Sequence, residues 1–272
     1  MTQDERLTYL IKSLLAESKE LPEINTKTIA APVVLRSLMN RRMPNAISEE
    51  FVLVQDAYLQ EESVRKGIVG LTEIPVINEE LEIDYPYGDK IAIWQGDITR
   101  LKVDAIVNAA NSQMLGCFVP NHGCIDNAIH SAAGIQLRNA CFDYMKKKRM
   151  TIPEYEEPTG QAMITDGFNL PSKHVIHTVG PIVYGTLTDK NKKDLAACYA
   201  SILEESLINK IKSLAFCCIS TGEFCFPNEE AARIAIGVVK TYMDQWHDRF
   251  DKIIFNVFID NDLNIYKKLL KS

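Results

Sequence analysis

From Lys90 onward the sequence alternates short β-rich runs with longer amphipathic stretches, and this alternation constrains the fold more than any other feature. Several of the runs are apolar almost throughout, as strands covered on both faces must be. The helix candidates between and after them span residues 124–150, 190–209, 227–247 and 262–270. The pattern therefore predicts an α/β domain in which a sheet lies between two layers of helices. The strand candidates are KIAIW, DAIVNA, QAMIT, HVIHTV, LAFCCI and KIIFNVFI.

The residues before this region have a different pattern, which indicates helices followed by extended chain. One helix is predicted from an apolar stripe at helical spacing, and a second helix is predicted to begin after Ser48 and to end at Gly67. The stripe consists of Leu7, Leu10, Ile11, Leu14 and Leu15. The turn-rich segment YPYGDK at 85–90 marks the predicted boundary between a mainly helical extension, residues 1–88, and the α/β domain, residues 89–272.

Composition excludes several classes of protein. A net charge of -6 argues against a general nucleic-acid clamp, and the basic run KKKR at 146–149 falls in the last turn of a predicted helix, where it complements the helix dipole. No apolar run approaches the roughly 20 residues that span a bilayer, and the N-terminus lacks the features of a secretory signal. Seven cysteines without a framework spacing favour free thiols. We therefore expect a cytoplasmic protein with neither a membrane nor a nucleic-acid partner.

Two loops lead from predicted strands into helices, at the positions where open α/β sheets bind ligands. The first follows DAIVNAAN and ends near Ile125, and the second is ISTGEFCFPNEEAA. Ser220, Thr221 and Gly222 have small side chains, so backbone N–H groups of the second loop could approach an anion at the start of a helix. Two such loops facing each other would cradle a diphosphate. Taken singly, the second loop fits a plain strand-to-helix turn better.

A third loop begins with Gly-Asp after the strand candidate KIAIW. The carboxylate of Asp97 could accept a hydrogen bond from an amino group such as that of adenine. Judged from the residues alone, the better interpretation of Asp97 is a helix or turn cap.

The first loop carries a candidate metal site. Cys117, His122 and Cys124 have the spacing C-x4-H-x-C, which is compact enough for one tetrahedral ion, and no fourth ligand is supplied locally. Structural zinc sites are closed by four protein ligands, whereas catalytic sites keep one position for water or substrate. The three ligands therefore predict an open site. A more distant ligand, of which Cys225 is the nearest candidate, would make the site structural, and that alternative stays open.

Five motifs, in order along the chain, resemble those of the macrodomain family. They are GDIT at 96–99, VNAAN at 107–111, CIDNAIHSAAG at 124–134, HVIHTVGP at 174–181 and CISTGEFCFP at 218–227. Macrodomains bind ADP-ribose in a cleft of a three-layer α/β/α sandwich, and some hydrolyse ADP-ribose from proteins. The resemblance extends from about residue 90 to the end of the sequence and implies the same fold.

The resemblance assigns roles to matching residues. It implies that Asp97 contacts the adenine amino group, that Ile98 contributes a backbone contact nearby and that Asn111 faces the distal ribose. The two diphosphate loops would be lined by Cys124, Ile125 and Asp126 and by Ser220, Thr221, Gly222, Glu223 and Phe224.

The first loop departs from the usual family pattern. Most catalytic macrodomains have a run of glycines after NAAN, where this chain has LGCFVPNHGCID. This substitution, together with the helical extension, resembles the zinc-dependent macrodomain branch and implies one Zn²⁺ bound by Cys117, His122 and Cys124. The implied catalytic residues are Asp126, which would orient water or substrate, and Asn111, which would hold the ribose.

The resemblance implies a hydrolase that removes mono-ADP-ribose from protein side chains. An ester to Asp or Glu is favoured over an amide-type bond because an ester oxygen leaves more readily. Members of the branch resemble partners of a sirtuin-type transferase that acts on a lipoylated carrier protein, so such a carrier is the implied client. The alternatives are a non-catalytic ADP-ribose binding module with structural zinc, an O-acetyl-ADP-ribose deacetylase and a phosphatase of ADP-ribose 1''-phosphate.

The remaining histidines and cysteines of the motif regions are interpreted as structural, because they lie in apolar runs or on a helix where a core position is the better interpretation. They are His130, His174, His177, Cys141, Cys198, Cys217 and Cys218.

Overall fold

The computed structural model describes residues 1–17 and 29–272 and contains two β-sheets surrounded by helices. The strands are β1 (Val69–Gly70), β2 (Ile91–Gln95), β3 (Leu101–Lys102), β4 (Ala105–Ala110), β5 (Ala162–Asp166), β6 (His174–Val179), β7 (Ser213–Phe216) and β8 (Lys252–Val257). The helices are α1 (Gln3–Glu17), α2 (Ala31–Arg41), α3 (Glu49–Lys66), α4 (Ile77–Glu80), α5 (Ile125–Ala133), α6 (Ile135–Thr151), α7 (Asp189–Ile208), α8 (Asn228–Trp246) and α9 (Asp260–Leu270).

The main sheet has six strands in the order β2-β8-β7-β4-β6-β5. Five of them are parallel, and their almost complete burial explains the continuous apolar runs in the sequence. Successive side chains of β6 point to opposite faces: His177 meets Cys141 of α6, while Thr178 interacts with Cys198 of α7. Helices therefore cover both faces, and the predicted α/β sandwich with a helical N-terminal region is confirmed.

The edge strand β5 differs from the other five. It pairs with β6 in antiparallel register, Met163 opposite His177. The connection between the two strands contains no helix. A parallel partner would require a long crossover, so the short connection produces an antiparallel edge on an otherwise parallel sheet.

The predicted helix over 124–150 is interrupted in the structure. Gly134 has a φ of 94° and separates α5 from α6. A side chain at this position would also lie 2.7 Å from both Gln55 and Gln136, so glycine is required by conformation and by space. The strand predicted as LAFCCI is also shorter than expected, since β7 ends at Phe216 and the two cysteines that follow lie outside it.

The N-terminal helices share one hydrophobic cluster, to which Ile135 of α6 also contributes. Leu7, Leu10 and Leu14 of the predicted stripe are buried, in a cluster that also includes Phe51 and Tyr58. The hydroxyl of Ser48 accepts a hydrogen bond from the N–H of Phe51 (3.2 Å), and α3 ends at Gly67 with a φ of 82°, so both predicted ends of that helix are confirmed.

The second core lies on both faces of the main sheet. It includes Ile74, Ile77 and Leu81, which precede the predicted boundary near residue 88, and that boundary stays a prediction. The described part of the chain contains no helix that is long and apolar enough to cross a membrane.

Candidate active site

The carboxyl ends of the five parallel strands meet at one edge of the main sheet, and the predicted site residues lie in the loops that leave this edge. The loop after β4, residues 111–124, leads into α5, and the loop after β7, residues 217–227, leads into α8. We call residues 115–124 of the loop after β4 the metal loop. The two loops approach each other, since His122 Nε2 lies 3.5 Å from Glu223 Oε1.

The metal loop brings its three predicted ligands together. The ligand atoms of Cys117, His122 and Cys124 all lie within 4.8 Å of one another, and each residue is half-buried. His122 Nδ1 is buried and has no hydrogen-bond partner among residues 1–17 and 29–272. Two sulfur atoms and an imidazole nitrogen suit a zinc ion, so the residues fit the metal that the sequence implies.

The chemistry of these thiols depends on their surroundings. Burial raises the pKa of Cys124 to about 12, against the backbone N–H of Asn127, which lowers it. That N–H also donates to Cys124 Sγ (3.4 Å) and makes Cys124 the N-cap of α5. A bound cation would stabilise the thiolate form. Cys225, in contrast, is exposed and lies outside the group of three.

Asp126 lies in the first turn of α5, two residues after Cys124, and is 5% exposed. Its Oδ1 accepts a hydrogen bond from Asn108 Nδ2 (2.8 Å) and lies 3.5 Å from His130 Nε2. Burial raises the pKa of Asp126 to about 6, although the hydrogen bond from Asn108 and the charge of Arg138 both lower it. The hydrogen bond from Asn108 fixes the carboxylate in position.

A buried chain of polar groups supports Asp126 from below. Asn108 Nδ2 also lies 3.1 Å from His177 Nδ1, and His177 Nε2 lies 3.0 Å from Thr165 Oγ1. Because an amide nitrogen can only donate, His177 accepts at Nδ1 and carries its proton on Nε2. Sequence reasoning missed Asn108 as part of the site. The signal was a polar residue in the middle of an apolar strand.

Asn111, at the end of β4, shapes the start of the first loop. Its Oδ1 accepts from the N–H of Gln113 (3.0 Å), and its Nδ2 lies 3.4 Å from the carbonyl oxygen of Gly116. Gly116 has a φ of 77°, and a Cβ there would lie 2.8 Å from the ring of His130. The loop can therefore pass over His130 only with glycine at this position.

The second loop is a tight turn that ends in α8. Ser220 has a φ of 65°, and its carbonyl oxygen accepts from the N–H of Phe226 (2.9 Å). The loop packs closely on the end of β6, where a Cβ at Gly180 would lie 2.1 Å from Ser220 Oγ. Thr221 Oγ1 donates to the carbonyl of Cys218 (3.0 Å). These contacts fix the start of the second loop against the end of β6.

The predicted adenine-binding residues lie at the end of β2. Asp97 caps a short 3-10 turn, with its Oδ1 accepting from the N–H (3.0 Å) and hydroxyl (2.6 Å) of Thr99, so the cap interpretation is confirmed. Ile98 in that turn is buried. The neighbouring strand β8 is followed by Phe258, an aromatic side chain that is 73% exposed and that sequence reasoning missed. Val257, the residue before Phe258, pairs with Gln95 and accepts from the N–H of Gly96 (3.0 Å), which places Phe258 near the start of this loop.

A groove of about 220 Å³ runs from this side of the site toward the N-terminal helices. Asp97 and Thr99 line it together with Leu35 of α2 and Tyr58 of α3. The helical extension therefore forms one wall next to the predicted nucleotide cleft.

Comparison with known proteins agrees with this geometry. Residues 107–235 match the family model of the Macro domain. A protein-ADP-ribose hydrolase of Treponema medium is 46% identical over 99% of this chain and 100% of its own length. A protein-ADP-ribose hydrolase of Staphylococcus aureus (strain MSSA476) is 41% identical over 97% of this chain and 94% of its own length.

A solved structure is similar as well. A Trypanosoma brucei macrodomain in complex with ADP-ribose superposes with a TM-score of 0.64 at 28% identity, covering 83% of this chain and 92% of that protein. The sheet order, the two loops at its carboxyl edge and these relatives agree, and the chain belongs to the macrodomain family, among its hydrolases.

Proposed function

We propose that this protein is a zinc-dependent protein-ADP-ribose hydrolase that removes mono-ADP-ribose from acidic protein side chains. The observation that carries the proposal is the juxtaposition of three metal-ligand side chains with the buried carboxylate of Asp126 at the start of α5. The names of the two hydrolase relatives support the reaction. The bond to be hydrolysed joins the distal ribose to the acceptor side chain, and its products are ADP-ribose and the free carboxylate.

The nucleotide would lie along the carboxyl edge of the sheet. Asp97 would accept from the adenine amino group through the carboxylate oxygen that does not cap the 3-10 turn, and Phe258 offers an exposed ring for stacking. Ile98 would provide an apolar floor. The adenine would thus be held at the end of the cleft opposite the metal loop.

The diphosphate would lie between the two loops. The N-terminus of α5, at Cys124 and Ile125, and that of α8 both present the positive end of a helix dipole, where the first backbone N–H groups have no acceptor within the helix. Gly222 has open space around it, so its backbone can approach the ligand. The second loop would line the diphosphate with Ser220, Thr221, Gly222, Glu223 and Phe224.

The ion would be held by Cys117, His122 and Cys124. When bound at an open site, zinc lowers the pKa of a coordinated water toward about 7 or polarises a substrate oxygen. Glu223 approaches the cluster from the opposite loop. Its carboxylate is in a position to contact a ligand that enters between the loops.

Asp126 and Asn111 would orient the groups that react, which are a water molecule and the distal ribose. Asp126 is held by Asn108 in one orientation, as a residue that orients water or a ribose hydroxyl must be. Asn111 lies at the end of β4 and would hold the distal ribose against the metal loop. Hydrolysis of an ester is favoured because the carboxylate is a good leaving group.

The proposed client is an ADP-ribosylated protein in the cytoplasm. A lipoylated carrier protein modified by a sirtuin-type transferase is the client implied by the zinc-dependent branch. Seven free cysteines support a reducing compartment.

The test is product analysis on three substrates offered to the zinc-loaded protein. They are a protein mono-ADP-ribosylated on glutamate, O-acetyl-ADP-ribose and ADP-ribose 1''-phosphate. Release of ADP-ribose from the protein as the fastest reaction supports the proposal. Tight ADP-ribose binding by calorimetry without release from any modified protein would instead identify a binding module, and faster turnover of either small substrate would contradict the proposed client.

A further inference from the structure

Helix α2 of the N-terminal extension lies against the metal loop and presents two polar side chains to it. Arg36 and Asn40 are four residues apart and therefore share one face of the helix. Asn40 is 1% exposed, and Arg36 is half-buried. Polar side chains at such positions need partners, and those of this face lie in and around the metal loop.

Arg36 bonds both the metal loop and the first turn of α5. Its Nη2 donates to the carbonyl oxygen of His122 (3.1 Å), while its Nε and Nη2 donate to Asn127 Oδ1 at 3.0 and 2.7 Å. The planar guanidinium can hold both acceptors at once because its donors form a rigid fork. One side chain of α2 thus fixes the backbone of a predicted ligand.

Asn127 extends this contact through the loop. Its Nδ2 donates to the carbonyl oxygen of Val119 (2.9 Å), and its backbone N–H donates to Cys124 Sγ (3.4 Å). The side-chain amide of Asn127, whose oxygen accepts from Arg36, is therefore also bonded to the middle of the loop. The backbone N–H of Asn127 is bonded to the sulfur of a predicted ligand.

Asn40 fixes the residue before His122. Its Oδ1 accepts from the backbone N–H of Asn121 (2.9 Å), and its Nδ2 donates to Ser131 Oγ on α5 (2.9 Å). Asn121 has a φ of 53°, a left-handed conformation that turns the chain just before the imidazole. The side chain of Asn40 thus stabilises the turn that aims His122 at the two cysteines.

Arg138 of α6 ties the beginning of the loop to the end of α2. Its guanidinium donates to the carbonyl oxygens of Leu115 (2.7 Å) and Cys117 (3.4 Å). It also lies 4.2 Å from the ring centroid of Phe118. The same group donates to three carbonyls at the end of α2, those of Met39, Asn40 and Arg42.

From these contacts we infer that α2 is a frame that holds the metal loop in its ligand-bearing shape, with Arg36 and Asn40 as positioning residues for the metal. The inference rests on the proposed zinc site. A loop that is already ordered loses less conformational entropy when it binds an ion, so the frame raises the affinity for zinc. The N-terminal extension is then part of the metal site without supplying a ligand.

The test measures the dissociation constant for zinc in the full chain by competition with a chromophoric chelator. We expect Arg36→Ala and Asn40→Ala to weaken zinc binding by roughly 10- to 100-fold, as loss of residues that orient ligands does. Arg36→Lys is expected to restore part of the affinity, because an ammonium replaces the charge but not the two-pronged geometry. The control is Arg65→Ala, since Arg65 of α3 is 56% exposed and pairs with Glu61 and Glu62 of its own helix.

A second measurement separates the frame from the metal chemistry. Hydrogen exchange of residues 115–124 in the metal-free protein is expected to be faster in Arg36→Ala than in the wild type, while exchange in β8 stays the same. Wild-type zinc affinity in the Arg36 and Asn40 variants would overturn the inference. If the wild-type protein binds no zinc, the proposed function fails. Independently of zinc, unchanged hydrogen exchange of residues 115–124 in Arg36→Ala would overturn the inference that α2 holds the loop. If Arg36→Ala does not fold, Asn40→Ala and Arg36→Lys carry the same comparison.

Discussion

Two clusters of histidine and cysteine lie near each other in this protein, and they differ in surroundings rather than in spacing. Cys117, His122 and Cys124 form one, and the second consists of His130, Cys141 and His177. In both clusters the ligand atoms lie within 4.8 Å of one another. The first is half-buried in a loop at the edge of the sheet, whereas every member of the second is buried. Proximity of ligand atoms therefore does not by itself identify a metal site.

Burial and nearby charge, rather than hydrogen bonding alone, distinguish the two clusters, because His130 of the buried cluster has no hydrogen-bond partner at either ring nitrogen among the described residues. In the buried cluster both nitrogens of His177 have partners, Asn108 and Thr165, and burial lowers the pKa of His177 to about 3. The neighbouring Arg138 adds positive charge, which would disfavour a cation there. His177 of the buried cluster supports Asp126 through Asn108, whereas the loop cluster is half-buried at the edge of the sheet.

Removing a thiol from the loop cluster should abolish zinc binding, whereas removing a thiol from the buried cluster should leave zinc binding intact. Cys117→Ala is expected to lose zinc and to release ADP-ribose from a modified protein at least about 100-fold more slowly, because metal ions contribute several kcal/mol to such reactions. Cys141→Ala, the matched change in the buried cluster, is expected to keep one zinc per chain. Elemental analysis with the release assay measures both. If Cys141→Ala lost zinc while Cys117→Ala kept it, the buried cluster and not the loop cluster would be the metal site.

Replacing the carboxylate between the clusters should impair the reaction without affecting the metal. Asp126→Asn is expected to reduce release by roughly 10² to 10⁴, the range for groups that manage protons or orient water. The zinc content should remain that of the wild type. The control is Asp143→Asn, an exposed acid on α6. A wild-type rate in Asp126→Asn would remove Asp126 from the mechanism.

Acid should destabilise the protein through the buried cluster. The folded-state pKa of His177, about 3, is below the ordinary value of about 6.5, so the unfolded chain takes up protons first as the pH falls. Above pH 6.5 the burial of neutral His177 does not lower the free energy of unfolding. Between pH 6.5 and 3 that free energy falls by about 1.4 kcal/mol per pH unit for each such histidine. Urea unfolding at a series of pH values measures this slope.

The slope should shrink in His177→Gln and persist in His174→Gln. His174 is on the same strand, but its side chain is 35% exposed. Equal slopes in the wild type and His177→Gln would show that this histidine is not held neutral by burial.

The smallest effect is expected at Cys225. Its thiol is exposed and lies outside the loop cluster. Cys225→Ala should therefore keep zinc with unchanged stoichiometry, as measured by elemental analysis. Loss of zinc would mean that Cys225 closes the site as a fourth ligand and that the metal is structural.

Much of this contrast could be predicted from local sequence, because strands, strand-to-helix loops and a compact C-x4-H-x-C spacing are local features. The antiparallel β5 depends on the missing helix between two strands, and the break at Gly134 requires the left-handed backbone seen in the structure. The contact of Arg36 with His122 joins residues 86 positions apart. No local pattern specifies such a contact, so the role of the extension emerges only from the packed structure.

The most direct test of the central claim is single-turnover release of ADP-ribose from a protein modified on glutamate. The reaction is followed with enzyme as purified, after removal of metal by a chelator, and after zinc is added back. The account predicts that release stops on chelation and returns with about one zinc per chain, as a single catalytic ion requires. Undiminished release by the metal-free enzyme would contradict it.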